Sequence, residues 1–185
     1  LKFKKAAIGE ASLTCADLAS RFAQGGDVSE FIKCLAVCHT VVPDHGEDGL
    51  TYEAESPDEA ALVDAAAEAG LRLWNRAPDS IVLLDRFNQE VVYKVLAVNA
   101  FNSTRKRMSM LVEAPSGETL LYCKGADNVM FERIACSPAT TELFNNRMTE
   151  FAQEGLRGLV CAKRAISPQQ RDDWLRVYHD AQLNL

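Results

Sequence analysis

Val91-Val92-Tyr93-Lys94-Val95-Leu96-Ala97-Val98-Asn99-Ala100-Phe101-Asn102-Ser103-Thr104-Arg105-Lys106-Arg107-Met108-Ser109-Met110-Leu111-Val112 reads as two strands joined by a short basic loop. Val91, Tyr93, Val95 and Ala97 fall on one face of an extended chain, as the two-residue period of a strand requires. Asn102 to Lys106 then interrupt the pattern, and the apolar run resumes from Met108 to Val112. A loop that short cannot hold the crossover that parallel strands need, so the two strands are antiparallel. The same argument covers Asn88-Gln89, which joins Ile81–Leu84 to this unit, and Pro115-Ser116-Gly117, which joins it to Thr119–Lys124. With Leu159–Ala165 as a further strand, the centre of the chain is an antiparallel, twisted sheet.

Helical signals flank that sheet. Ser56-Pro57-Asp58-Glu59 offers a serine cap, a proline at the first helical position and a glutamate three residues after the cap. The alanine-rich run that follows propagates to Ala69, and Gly70 ends it. Ser167-Pro168-Gln169-Gln170 repeats the capping pattern and opens a last helix to about Leu183. Phe31–His39 sets Phe31, Cys34, Leu35 and Cys38 on one helical face, and Ala126–Ile134 and Glu142–Gln153 are further helices. Leu1–Ile8 reads as one strand, Gly9–Ser29 as irregular chain, Pro43–Gly49 as an acidic loop and Thr51–Glu55 as a short strand. The fold class is α+β, an antiparallel sheet flanked by helices, in a single domain over residues 1–185.

Composition narrows the function. A net charge of −6 argues against general nucleic-acid binding, so any anion site has to be local. The cysteines, Cys15, Cys34, Cys38, Cys123, Cys136 and Cys161, lack metal spacing and read as buried, reduced thiols. His39, His45 and His179 are scattered without partners, and Asp44, Glu47 and Asp48 read as a solvated loop, so no metal ligands are assigned. No apolar run approaches the roughly 18 residues that cross a bilayer. Asn102-Ser103-Thr104 matches a glycosylation sequon, which a cytosolic domain never presents to the transferase.

The chemistry concentrates in two places: Phe101 to Ser109, and Lys124-Gly125-Ala126-Asp127. An aromatic ring, three cations and a lysine beside a glycine can grip a nucleotide, with the ring under the base and the cations at the phosphates. Neither a Gly-x-x-x-x-Gly-Lys-Ser/Thr nor a Gly-x-Gly-x-x-Gly loop occurs, so a nucleotide has to be held by side chains.

Ser56-Pro57-Asp58-Glu59-Ala60-Ala61-Leu62, Phe101 to Ser109, Lys124-Gly125-Ala126-Asp127 and Glu154-Gly155-Leu156-Arg157 come in the order and at roughly the distances seen in the nucleotide-binding domain of P-type ATPases. The string Phe-Asn-Ser-x-Arg-Lys-Arg-Met-Ser and the aspartate after Lys-Gly-Ala resemble the type IV branch, the phospholipid flippases. Leu1-Lys2-Phe3-Lys4-Lys5 is similar to the segment after the phosphorylated aspartate, so residues 1–8 are expected to be the edge of the adjoining phosphorylation domain. The resemblance is weakest from Gly9 to Gly26 and after Pro168. The Asp-Lys-Thr-Gly-Thr phosphorylation motif, the Gly-Asp-Gly hinge and the actuator motif do not occur in these residues. The expectation is therefore an excised, cytosolic ATP-binding domain of a multi-pass membrane protein.

The resemblance assigns roles residue by residue. Phe101 matches the ring on which the family stacks adenine. From the residues alone, a phenylalanine ending a strand reads as core, and the basic loop behind it reverses that reading. Lys124 matches the lysine at the base of the pocket, with Gly125 permitting close approach of a ligand. Lys106 matches the lysine reaching toward phosphates, or else belongs with Arg105 and Arg107 to a solvated loop. Arg157 matches the arginine of the phosphate region, where a guanidinium fork holds two oxygens, or else caps a helix end. Glu59 matches the acceptor facing the exocyclic amine of adenine, and it is also the third residue of a capping box. Ser103 and Met108 line the pocket as secondary contacts.

The implied ligand is ATP, with magnesium in the full-length enzyme held by ligands outside this chain. The implied partners are the phosphorylation and actuator domains of the same polypeptide, an accessory subunit, the membrane only through the whole protein, and no nucleic acid. Isolated, the domain is expected to bind ATP without hydrolysing it, since no residue here is its catalytic nucleophile. The alternative is a non-enzymatic interaction module whose basic loop docks on a phosphoinositide or an acidic peptide.

Overall fold

The computed structural model describes residues 1–47 and 49–183, so Asp48, read above as part of a solvated loop, lies outside the described residues. In chain order the elements are β1 (Lys5–Ile8), β2 (Ala11–Thr14), α1 (Cys15–Phe22), α2 (Gly26–Val37), β3 (Val42–Gly46), β4 (Gly49–Glu53), α3 (Pro57–Glu68), β5 (Leu71–Ala77) and β6 (Ser80–Asp85). They continue with β7 (Glu90–Asn99), β8 (Arg107–Glu113), β9 (Thr119–Gly125), α4 (Asp127–Met130), α5 (Pro138–Gln153), β10 (Val160–Ala165) and α6 (Pro168–Leu183).

Six strands form one antiparallel sheet in the order β10-β9-β8-β7-β6-β5, and β1-β2 and β3-β4 are separate hairpins. All five neighbouring pairs in the large sheet follow chain order, as the short loops between β6 and β9 required. The α+β reading holds. β8 is its best-covered strand, with Met108 through Val112 all buried. On β7, Tyr93, Val95 and Ala97 are buried as the alternation demanded, and a bulge between Val95 and Ala97 shifts their pairing to the adjacent Val112 and Leu111 of β8.

Helices α1, α2 and α3 pack together, and α2 and α3 lie against the sheet. The core cluster joins Leu18, Ile32, Leu35, Val37, Val63 and Ala66 of these helices to Leu73, Ile81, Tyr93, Met110 and Tyr122 of the strands. Helix α6 contacts β7 and buries none of its own residues, with Tyr178 Oη donating to the Val98 carbonyl at 3.2 Å.

Several local readings need correction. Gly9–Ser29 is ordered secondary structure, not irregular chain: β2 leads into α1 through a capping box in which Thr14 and Asp17 satisfy each other's backbone donors. Helix α2 begins at Gly26, five residues earlier than Phe31, and stops before His39. The acidic Pro43–Gly49 loop is mostly the strand β3, paired with β4 and largely exposed. β5 was not anticipated at all. Of the cysteines only Cys34 and Cys38 are buried; the other four are half-buried, and all six are free.

Candidate functional site

The antiparallel order brings the end of β7, the start of β8, the end of β9 and the start of β10 to the same end of the sheet. Phe101 and Lys106 lie in the loop between β7 and β8, Lys124 near the end of β9, and Arg157 just ahead of β10. Ser103 shares that loop and Met108 is at the start of β8, so six of the seven candidate residues, all but Glu59, share one end by topology alone.

Lys124 is where it is because of the strand period. Leu120, Tyr122 and Lys124 occupy one face of β9, the face under the helices, and all three are buried. Met108, also fully buried, is the partner of Lys124 across the β8–β9 ladder, so it belongs to the floor of this region. A buried ammonium needs a counter-charge. It finds one in Glu59: Nζ lies 3.0 Å from Oε1, with the two side chains 6% and 13% exposed. Proline starts α3 at Pro57, which puts Asp58 and Glu59 in the first turn, where the helix dipole favours carboxylates.

Glu59 is not a helix cap. Ser56 Oγ accepts from the Asp58 amide at 3.2 Å, but the Glu59 carboxylate turns away from the cap. Its Oε2 accepts from Thr40 Oγ1 at 2.8 Å and more distantly from the Thr40 amide at 3.4 Å, while Oε1 takes Lys124. By contrast the Ser167–Gln170 box forms in both directions. The local pattern is the same in both, and a buried lysine decides the difference.

Beneath this pair sits His39, whose lack of partners in the sequence was misleading. Its ring is fully buried, its Nε2 donates to the Ala36 carbonyl at 2.8 Å and its Nδ1 accepts from the Val41 amide at 3.1 Å. Acceptance at Nδ1 requires the neutral ring with its proton on Nε2. Burial pushes its pKa down to about 3, and the nearby charges of Arg76 and Lys124 act in the same direction. Burial also lowers the Arg76 guanidinium from its ordinary value, against the opposing pull of Glu59. Thr40, His39 and Arg76 carried no signal in the sequence, since each meets Glu59 or Lys124 only through the fold.

The Phe101 ring is 63% exposed and is no part of the core. The loop after it is bonded to itself. Asn102 Oδ1 accepts from the Thr104 and Arg105 amides at 3.1 and 2.7 Å, and the Lys106 amide donates to the Asn102 carbonyl. Arg105 Nη1 donates to the Ala100 carbonyl and Arg107 Nη1 to the Arg105 carbonyl, so two of the three cations are turned onto their own loop. Lys106 is exposed, with its backbone in the left-handed region at φ 51°. Ser103 is exposed on the same turn.

Gly125 is required by the protein itself. A Cβ there would lie 2.5 Å from Arg107 Cβ and 2.7 Å from the Lys106 carbonyl oxygen, so only glycine lets the basic loop pass this close to β9. Arg157 does not cap a helix: Nη1 meets Asp58 Oδ2 at 2.6 Å from a side chain 73% exposed. That contact ties the Gly155–Arg157 segment to the first turn of α3. A cleft of about 430 Å³ begins at the Asp58–Arg157 pair and runs over Leu35, Leu62, Phe144, Met148 and Phe151. It is mainly apolar and does not include Phe101, Lys106, Lys124 or Glu59.

The chain matches the family described as P-type ATPase, cytoplasmic domain N, over residues 27–183. The chain belongs to that family. It is 40% identical over 161 residues to "Phospholipid-transporting ATPase DRS2" of Saccharomyces cerevisiae and 43% identical over 162 residues to "Phospholipid-transporting ATPase IK" of Homo sapiens. It is also 40% identical over 166 residues to "Phospholipid-transporting ATPase 10" of Arabidopsis thaliana. Each match covers 85% of this chain but only 12 to 14% of the relative, so the chain spans about an eighth of the length of these relatives.

Proposed function

We propose that this domain holds ATP for a phospholipid-translocating P-type ATPase, presenting the terminal phosphate to an aspartate in a phosphorylation domain outside these residues. The observation that carries the reading is the buried Glu59–Lys124 pair at the same sheet end as the exposed Phe101 ring. An exposed aromatic ring and a carboxylate–ammonium pair at one sheet end offer a stacking face, an acceptor and a donor. Adenine answers all three: its face stacks on Phe101, its amine donates to Glu59 and a ring nitrogen accepts from Lys124. Lys106 and Arg157 are then the phosphate-side cations, with Ser103 beside the ring and Met108 behind Lys124. The relatives' names supply the transported class, and residues 1–8 are read as the edge of the phosphorylation domain.

Among the described residues no group of three or more His, Cys, Asp or Glu side chains is arranged to hold a metal ion. In this reading magnesium arrives on the phosphates and takes its protein ligands from elsewhere in the full-length enzyme. No helix among the described residues is long and apolar enough to cross a membrane. The basic loop fits the alternative of an anion-docking module less well, because Arg105 and Arg107 are turned inward.

A side-chain site without a phosphate loop predicts weak binding, about 0.1 to several mM, equivalent to roughly −3 to −5.5 kcal/mol. Chemical-shift mapping of the isolated chain should show ATP-dependent changes centred on Phe101 and Lys124. Absence of any response up to ~10 mM, above that range, overturns the proposal.

A further inference from the structure

We infer that Thr40 is a positioning residue that sets the nucleotide preference of this domain by fixing the orientation of the Glu59 carboxylate; the inference rests on the adenine reading above. Thr40 lies in the connection between α2 and β3, 19 residues before Glu59, and no sequence motif includes it. Its hydroxyl donates to Glu59 Oε2 at 2.8 Å, while Lys124 donates to Oε1 at 3.0 Å. Oε1 thus has Lys124 as its donor and Oε2 has Thr40, through the hydroxyl and more distantly through the amide at 3.4 Å, so two residues determine the plane of the group. A carboxylate oxygen accepts more than one hydrogen bond, so both retain capacity for an amine.

Thr40 is itself held firmly. The residue before it is His39, whose ring bonds the Ala36 carbonyl on one side and the Val41 amide on the other. The hydroxyl is therefore delivered from a pinned segment. Without it, only the longer bond from the Thr40 amide holds Oε2, and the carboxylate can turn toward the ammonium of Lys124 and accept from it with both oxygens. The group that faces an exocyclic amine would then lose its direction while the fold kept its ion pair.

The test compares ATP and GTP affinities of the 185-residue chain by titration in wild type, Thr40→Val, Thr40→Ser and Glu59→Gln. Valine keeps the shape and removes the donor; serine restores the donor. Thr40→Val should weaken ATP and leave GTP unchanged, reducing the preference by about three- to tenfold, the scale set by one net hydrogen bond. Thr40→Ser should recover it, and adding Thr40→Val to Glu59→Gln should change the ratio no further. Thr40→Ala repeats the comparison should the valine variant melt early. A wild-type preference that Thr40→Val and Thr40→Ala leave intact overturns the role of Thr40 alone. Equal weakening of both nucleotides makes Thr40 structural and overturns it too. A wild type that binds neither nucleotide overturns the adenine reading together with this inference.

Discussion

Lys124 Nζ lies 3.0 Å from Glu59 Oε1 across 65 residues of chain, and it is this contact that ties the first turn of α3 to the end of β9. Both side chains are almost out of water, so each depends on the other. Removing one partner of a buried pair leaves an uncompensated charge, which costs about 3–5 kcal/mol. Lys124→Ala should therefore lower the unfolding free energy by that amount in urea titrations. Replacing both residues together, Lys124→Met with Glu59→Leu, should recover most of the loss, because well-packed apolar side chains substitute for a buried pair at little cost. A double variant as unstable as Lys124→Ala would show that the loss comes from packing and not from the pair.

His39 gives the domain a defined acid sensitivity. Its folded pKa is held down to about 3, well below the ordinary value of 6.5. The folded state then binds fewer protons than the unfolded state between those limits. The stabilisation is fully present above about pH 6.5 and is lost as pH falls toward 3, at up to roughly 1.4 kcal/mol per pH unit. Urea melts at several pH values from 6.5 to 4.5 should show this slope in wild type. His39→Asn keeps an acceptor for the Val41 amide but cannot be protonated, so its slope should be shallower by about one proton. Parallel slopes in the two proteins would mean that His39 is charged in the fold.

Phe101 separates affinity from stability. A ring 63% exposed contributes little to the core, so Phe101→Ala should leave the unfolding free energy within about 0.5 kcal/mol of wild type. If the ring stacks on a base, ATP affinity should fall by about 1–3 kcal/mol. Calorimetry on the same sample reads both. A large drop in melting temperature with unchanged ATP binding would return Phe101 to the core.

The strands joined by short loops were legible because alternation and turn residues are local signals, and β6 through β9 follow them. β5 was missed for a physical reason: its register shifts between Leu73 and Asn75, and the alternation breaks at the half-exposed Trp74. β3 and β4 carry little apolar alternation because the hairpin is largely exposed. Six of the candidate residues could be brought to one sheet end from strand order. The partner of Glu59 could not be found that way. Ser56 and Glu59 satisfy the same spacing rule as Ser167 and Gln170, and the rule contains nothing about a lysine 65 residues away. Thr40 and His39 were invisible for the same reason.

The geometry revises what Glu59→Gln should do. Glutamine satisfies a capping box nearly as well as glutamate, so a capping role predicts little change in stability. The carboxylate is instead the counter-charge of Lys124, and an amide oxygen in its place still accepts a hydrogen bond but no longer neutralises the ammonium. Glu59→Gln should therefore be less stable than wild type by about 1.5–3 kcal/mol, the scale of a hydrogen bond to a charged group. Its effect on nucleotides is the sharper test. A carboxylate attracts the exocyclic amine of adenine and repels the carbonyl oxygen that guanine carries at the same position, and a charge-assisted bond is roughly twice as strong as a neutral one. Wild type should prefer ATP to GTP, and Glu59→Gln should narrow that gap. Lys124→Ala, in whatever fraction remains folded, should weaken both nucleotides more evenly, since a ring nitrogen is common to both bases. Titrations of the three proteins with both nucleotides decide the matter: an unchanged ATP preference in folded Glu59→Gln would leave Glu59 as the partner of Lys124 and nothing more.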